Sequence, residues 1–251
     1  MKVLITRPRS QAAPFAEALR AAGLEPVFLP VIEVRPVDDL GELEQAIASL
    51  SSYDWIVFTS INAVEIFFDR VRDWNGLKQK PKIAVIGRKT AAAVKARGAE
   101  PDFVPEKYVA ESILPGLGNL RGKRILLPAA EIGRDVLVVA IAQAGGTAHE
   151  VSVYRTLPTE PDADGLTALR AGVDVVTFTS PSTVDNFVLL AERYGLDPLN
   201  LPGRPRIACI GPITEEAARQ RGFTQLIVAS DHTSDGIIEV LKQHSTQLEV
   251  R

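Results

Sequence analysis

The chain has 251 residues, 46% of them hydrophobic and 24% charged, the balance of an ordinary globular protein with room for one large or two ordinary domains. A net charge of −3 argues against a general affinity for nucleic acid, and no apolar run approaches the roughly 18 residues a membrane helix needs. The one cysteine, Cys209, has no disulfide partner, and His149, His232 and His244 stand at no metal-ligand spacing with it or one another, so no metal is expected.

The opening "KVLITRP" reads as a strand and not a signal peptide, because Arg7 cuts the apolar run short. A cytoplasmic protein is therefore expected. The amphipathic "SQAAPFAEALRAAG" follows as a helix, and "LEPVFLPVIEV" returns to extended chain. Next, the strand-like "YDWIV" runs into "FTSINAVEIFF", a hydroxyl-bearing turn and a helix. "KIAVIGRKTAAAVKARG" is again strand and helix, and the Gly-rich "LPGLGNLRG" near Gly118 looks like a linker.

The order then repeats. "KRILLPAAE", "RDVLVVAIAQAGG" and "TAHEVSVYRT" match the first three segments, with Leu4 and Gly23 each 122 positions before Leu126 and Gly145. "VDVVTFTSPSTVDNFV" matches the fourth and sets Val184 against Val64, and "RIACIGPITEEAARQRG" matches the fifth. Solenoid repeats run roughly 20 to 50 residues, so a repeat this long is a duplicated domain.

Strands alternating with helices imply parallel sheets covered on both faces. Glycines close the helices after Ala22, Arg97, Ala144 and Arg221. The expected fold is α/β, with two doubly wound parallel-sheet lobes. Their boundary has two readings. A single crossing near Gly118 would separate the repeats. Two Pro-bounded extended segments, "PVIEVRPV" and "HEVSVYRTLP", would instead both cross, giving one lobe of 1–34 plus 157–251 and another of 35–156, with linkers about 34–37 and 151–157. Spacing alone does not choose.

Ligands of open parallel sheets bind beyond the carboxyl ends of the strands, where helix N-termini offer unpaired N–H groups to an anion. Those positions hold Thr59-Ser60, Gly87 to Thr90, Thr179-Ser180 with Ser182, and Gly211 to Thr214. Helix capping alone would account for Ser60 and Ser180, at roughly 1 kcal/mol each over Ala. Arg7, Arg88, Lys89, Arg134 and Arg155 also fall near strand ends or helix starts. Singly they read as surface charges; together, around two lobes, they point to a cleft for a polyanion. No dinucleotide fingerprint, Walker loop, nucleophile elbow or Ser–His–Asp set is legible, which disfavours a nucleotide-dependent enzyme.

Taken together, "ITRP", "FTSINAV", "IGRKTA", "EIGRD", "VYRT", "FTSPSTV" and "IGPIT" resemble the uroporphyrinogen-III synthase family, in order and over nearly the whole chain. The family often carries an Arg-Gly pair before Glu131, where this chain has Ala129-Ala130. The resemblance implies two lobes joined by a pair of extended linkers, with the first β-α-β unit packed into the C-terminal lobe, and so favours the double crossing. It also implies a cofactor-free cyclisation of hydroxymethylbilane to uroporphyrinogen III. Within its motifs the expected substrate-binding set is Arg7, Thr59, Ser60, Asn62, Gly87, Thr90, Glu131, Gly133, Arg134, Thr179, Ser180, Ser182, Gly211 and Thr214. Tyr154, a phenol on a proposed linker at the place of a functional tyrosine, is the expected catalytic acid, since a phenol keeps its proton at neutral pH. The expected protein is a monomer acting on a small-molecule linear tetrapyrrole polycarboxylate. The rival reading is a cytoplasmic two-lobed protein that binds a small anion without chemistry.

Overall fold

Among the described residues short apolar runs make ten strands: β1 (Lys2–Ile5), β2 (Glu25–Phe28), β3 (Ile32–Pro36), β4 (Trp55–Phe58), β5 (Lys82–Val85), β6 (Arg124–Ala130), β7 (Thr147–Pro158), β8 (Val175–Phe178), β9 (Arg206–Cys209) and β10 (Leu226–Val228). The helices are α1 (Arg9–Ala21), α2 (Gly41–Ala48), α3 (Ile61–Arg70), α4 (Arg88–Ala96), α5 (Leu114–Leu117), α6 (Val136–Gln143), α7 (Ala163–Ala171), α8 (Pro181–Arg193), α9 (Pro212–Gln220) and α10 (Ser234–Leu248). This computed structural model describes residues 1–106, 110–133 and 135–248. Among them no helix is long and apolar enough to cross a membrane.

The strands form two five-stranded sheets, ordered β10-β9-β8-β1-β2 and β3-β7-β6-β4-β5. β1 pairs in parallel with β2 and β8, and β8 with β9. In the other sheet β4 pairs in parallel with β5 and β6, and β6 with β7. The chain divides into two compact units, Met1–Glu33 with Leu157–Arg251, and Val34–Thr156, passing from one to the other within β3 and back within β7. The Gly-rich segment around Gly118 therefore lies inside the second unit. There Ile113, Leu117 and Leu120 are buried against Trp55, Val57 and Ile125, so this segment is core and not a boundary.

Residues alternate between the two faces of each sheet, as strand geometry requires. In the first unit Leu4, Val176 and Phe178 pack with Phe187 on one face, while Val3, Ile5 and Val175 pack with Phe15 and Leu241 on the other. In the second unit Ile56 and Phe58 face Phe67, and Trp55 and Val57 face Ile113 and Ile141. The repeated phrase serves this core directly. Phe58 meets Phe67 edge-on with ring centroids 5.3 Å apart, and Phe178 meets Phe187 likewise at 5.4 Å, the arrangement aromatic quadrupoles favour. Buried hydroxyls are satisfied within the sheet: Thr6 donates to the Thr177 carbonyl at 2.6 Å and Thr177 to the Leu4 carbonyl at 2.8 Å. Cys209 is fully buried, and burial pushes its thiol up to about 12, which leaves it an inert small apolar group.

Candidate functional site

Parallel pairing puts the carboxyl ends of β8, β1, β9 and β10 on one edge of the first sheet. Arg7 follows β1, Thr179 and Ser180 follow β8, and Gly211 follows β9. Ser180 caps α8: its Oγ accepts from Thr183 N at 3.3 Å, while Thr183 Oγ1 accepts from Ser180 N and Thr179 N at 3.2 Å each. Pro181 occupies the first helical position and has no N–H. This box consumes most of the α8 donors. Ser182 N–H is the first-turn donor left without a partner among the described residues, beside the Ser182 hydroxyl that meets Ser180 Oγ at 2.9 Å.

Arg7 has a different character. Its half-buried guanidinium donates from Nη1 to Ser234 Oγ at 2.9 Å and lies over the Phe15 ring, 5.4 Å from the centroid. Nε is buried with no partner, and no carboxylate pairs with the group among the described residues. Burial lowers its pKa, the mark of a cation short of compensation.

The second sheet gathers its own set. Ser60 caps α3 by accepting from Ala63 N at 3.1 Å, but Ile61 stands where the other repeat has proline, so this helix start keeps a donor that α8 lacks. Thr59 is exposed, and Ser60 and Asn62 are half-buried. Gly87 precedes α4 with φ of +86°, a conformation that favours glycine. Thr90 and Thr214 are buried, at 5% and 3% exposure, so their turns expose Arg88 and Lys89, or Pro212 and Ile213, rather than the threonine hydroxyls.

At the end of β6, Glu131 and Gly133 are exposed, and Arg134 lies outside the described residues. The repeat offset sets Ala129 against Arg7, so Arg7 has no arginine counterpart at its matching position in this unit. Arg155 of β7 donates to Asp38 Oδ2 at 2.7 Å, and its Nε stands 3.8 Å from Glu131 Oε2. Glu131 N–H is taken up by the Tyr154 carbonyl at 2.7 Å.

Tyr154 stands where β7 bulges. Ala129 pairs with Ser152, but Ala130 pairs with Tyr154, and the skipped Val153 is fully buried. Such a bulge redirects the following side chain. The ring packs partly on the apolar cluster of Phe58 and Val151, and its hydroxyl has no hydrogen-bond partner among the described residues. Sequence reading left Ser234 and His232 out of the site. Ser234 reaches Arg7, and His232 lies against Gly211, a contact set by a loop path with no local signature.

A profile of the family described as "Uroporphyrinogen-III synthase HemD" matches residues 13–239. The chain belongs to the uroporphyrinogen-III synthase family. It is 33% identical to the uroporphyrinogen-III synthase of Synechococcus elongatus over 98% of this chain and 96% of that one. It is also 33% identical to a putative uroporphyrinogen-III synthase of Methanocaldococcus jannaschii, over 96% and 98%. A uroporphyrinogen III synthase structure from the extremely thermophilic bacterium Thermus thermophilus superposes with a TM-score of 0.66 at 23% identity over the whole of both chains, a likeness of fold. The uroporphyrinogen-III synthase family consists of cyclising lyases of porphyrin biosynthesis, which places this chain among enzymes acting on a small-molecule tetrapyrrole.

Proposed function

We propose that this chain converts hydroxymethylbilane to uroporphyrinogen III, removing water and closing the ring with the last pyrrole inverted. The observation that carries the reading is the 33% identity to a curated synthase over 98% of this chain. Loss of the terminal hydroxyl leaves an electrophilic azafulvene. Its carbon attacks the substituted position of the far pyrrole, and the resulting spiro intermediate fragments and recloses. Unaided, the bilane closes at the free position and gives the type I isomer. The protein must therefore steer, and each tenfold preference needs about 1.4 kcal/mol of differential stabilisation.

Each sheet's carboxyl edge holds carboxylates of the substrate. In the first unit the contacts come from Arg7, Thr179, Ser180, Ser182, Gly211 and Thr214. In the second they come from Thr59, Ser60, Asn62, Gly87, Thr90, Gly133 and Arg134, while Glu131, a carboxylate whose own N–H is engaged, contacts the bilane as an acceptor for its pyrrole N–H groups. Backbone N–H groups carry much of the binding at the turns of Thr90 and Thr214, whose side chains are buried. Tyr154 gives its proton to the departing hydroxyl, which leaves as water; the unpartnered phenol beside the β7 bulge supports that role. The same reading makes the protein a cytoplasmic monomer that needs no cofactor and no nucleic-acid partner.

The test is incubation with freshly prepared hydroxymethylbilane, followed by chromatographic separation of the isomers. Type III product in excess over the spontaneous type I is the expected result. Saturable binding with only type I product would overturn the reading in favour of a binding protein.

A further inference from the structure

The connection from β10 to α10 covers 229–233. It leaves β10, at one end of the first sheet, and delivers Ser234 to Arg7 beyond β1, so it runs along the carboxyl edge. His232 sits in that passage. A Cβ built on Gly211 would lie 3.2 Å from both Cδ2 and Cγ of His232 and 3.6 Å from Nδ1, which puts the imidazole against bare backbone just ahead of α9. Gly211 is extended, with φ of −179°, a conformation open to any residue. A side chain there would press on the imidazole, which would have to give by a few tenths of an ångström. The ring is exposed, and its nitrogens have no hydrogen-bond partner among the described residues.

Two basic groups thus lie along one short path. Arg7 is half-buried, aimed by Ser234 and Phe15, and without a carboxylate partner among the described residues. An uncompensated cation withdrawn from water is costly, and an arriving anion relieves that cost. We propose that His232 and Arg7 form a carboxylate clamp on the carboxyl edge of the first unit, with Ser234 as the residue that positions Arg7. The clamp rests on the proposed reaction for the identity of its ligand, the acetate and propionate groups of the bilane.

Its consequence is a pH dependence. A charged imidazole adds a charge-assisted hydrogen bond that a neutral ring cannot match, so carboxylate affinity should be higher in mildly acidic than in mildly basic solution. Charged groups near the starts of the surrounding elements are Asp231, which accepts from Thr233 Oγ1; Glu215 and Glu216 of α9, which respectively pair with Arg219 and accept from Gln220; Asp235 in the first turn of α10; and Arg7. Glu215 and Asp231 are thus already engaged.

Oxalate, a dianion throughout the interval from about pH 6 to about pH 8, serves as the probe in calorimetric titration of the full chain. The wild type should bind it about tenfold more tightly at the lower pH. His232→Gln should bind with the weaker affinity at both. Arg7→Gln should lose affinity at both pH values. Ser234→Ala should raise KM for the bilane while leaving kcat within about twofold. A pH dependence that survives in His232→Gln, or no oxalate binding by the wild type, overturns the clamp. If the clamp behaves as stated but no type III product forms, the anion site stands and the proposed reaction falls. If type III product forms without this oxalate pattern, the reaction stands and the clamp falls.

Discussion

Ser180 and Ser60 show how one turn is used in two ways. Both cap a helix, but the first sits in a closed box with Thr183 and Pro181, while the second leaves the start of α3 more open. Caps of this kind are legible in sequence because the interaction is local, three residues long. Tyr154 was legible only as a residue type in a family motif; what singles it out in the fold is the skipped Val153. Tyr154→Phe keeps the ring on its apolar cluster and removes a hydroxyl that has no protein partner among the described residues. Type III formation should fall at least about tenfold, within the span a positioned acid contributes, while the melting temperature stays near that of the wild type. Unchanged turnover would remove Tyr154 from the mechanism and leave substrate positioning as the better account. His232 was not legible at all, since its neighbour Gly211 belongs to another strand-helix unit.

At the scale of elements, the duplication repeats a polar latch as well as a core. Asp54, just before β4, accepts from Lys123 Nζ at 2.8 Å and from Arg124 N at 2.9 Å. Asp174, just before β8, accepts from Lys2 N at 2.5 Å. Arg124 opens β6 and Lys2 opens β1, so each aspartate fastens the start of the neighbouring strand. The acids stand inside the matching runs "YDWIV" and "VDVVT" but carry no local sign of their partner strands. Strands, helices and glycine stops were readable from period and composition, whereas cross-strand partners depend on sheet order. The hydrogen bond from Lys123, with that from Arg124 N–H, holds the Asp54 carboxyl below its ordinary range. A carboxyl depressed in the folded state contributes stability above its unfolded pKa of about 3.9 and loses it as pH falls through the folded value. Asp54→Asn should therefore lower stability near neutrality by a modest amount, because the group is partly solvated, and flatten the loss of stability below about pH 4. Urea denaturation at stepwise lower pH measures both, and parallel curves for mutant and wild type would refute this role.

For the whole molecule, the evolutionary repeat and the folding unit do not coincide. The repeats meet near Gly118, yet β1 and β2 belong to the sheet of β8, β9 and β10, and the segment around Gly118 is packed beneath β4 and β6. Sequence spacing left the division open because both halves carry the same pattern, and only strand pairing separates a break between repeats from a break within them. The segment 34–156 retains β4, β5, β6 and β7 with both faces covered, one by α2, α3 and α4 and the other by α5 and α6. The segment 1–118 keeps β4 and β5 but loses β6 and β7, and it strands β1 and β2 without β8. Its exposed strand edges and uncovered apolar faces favour aggregation over folding. Expressed alone, 34–156 should unfold in a single cooperative urea transition, with a slope matching the surface such a unit buries. The 1–118 fragment should show no cooperative transition by circular dichroism. Cooperative unfolding of 1–118 together with a disordered 34–156 would mean that the repeat, and not the sheet, is the unit of folding.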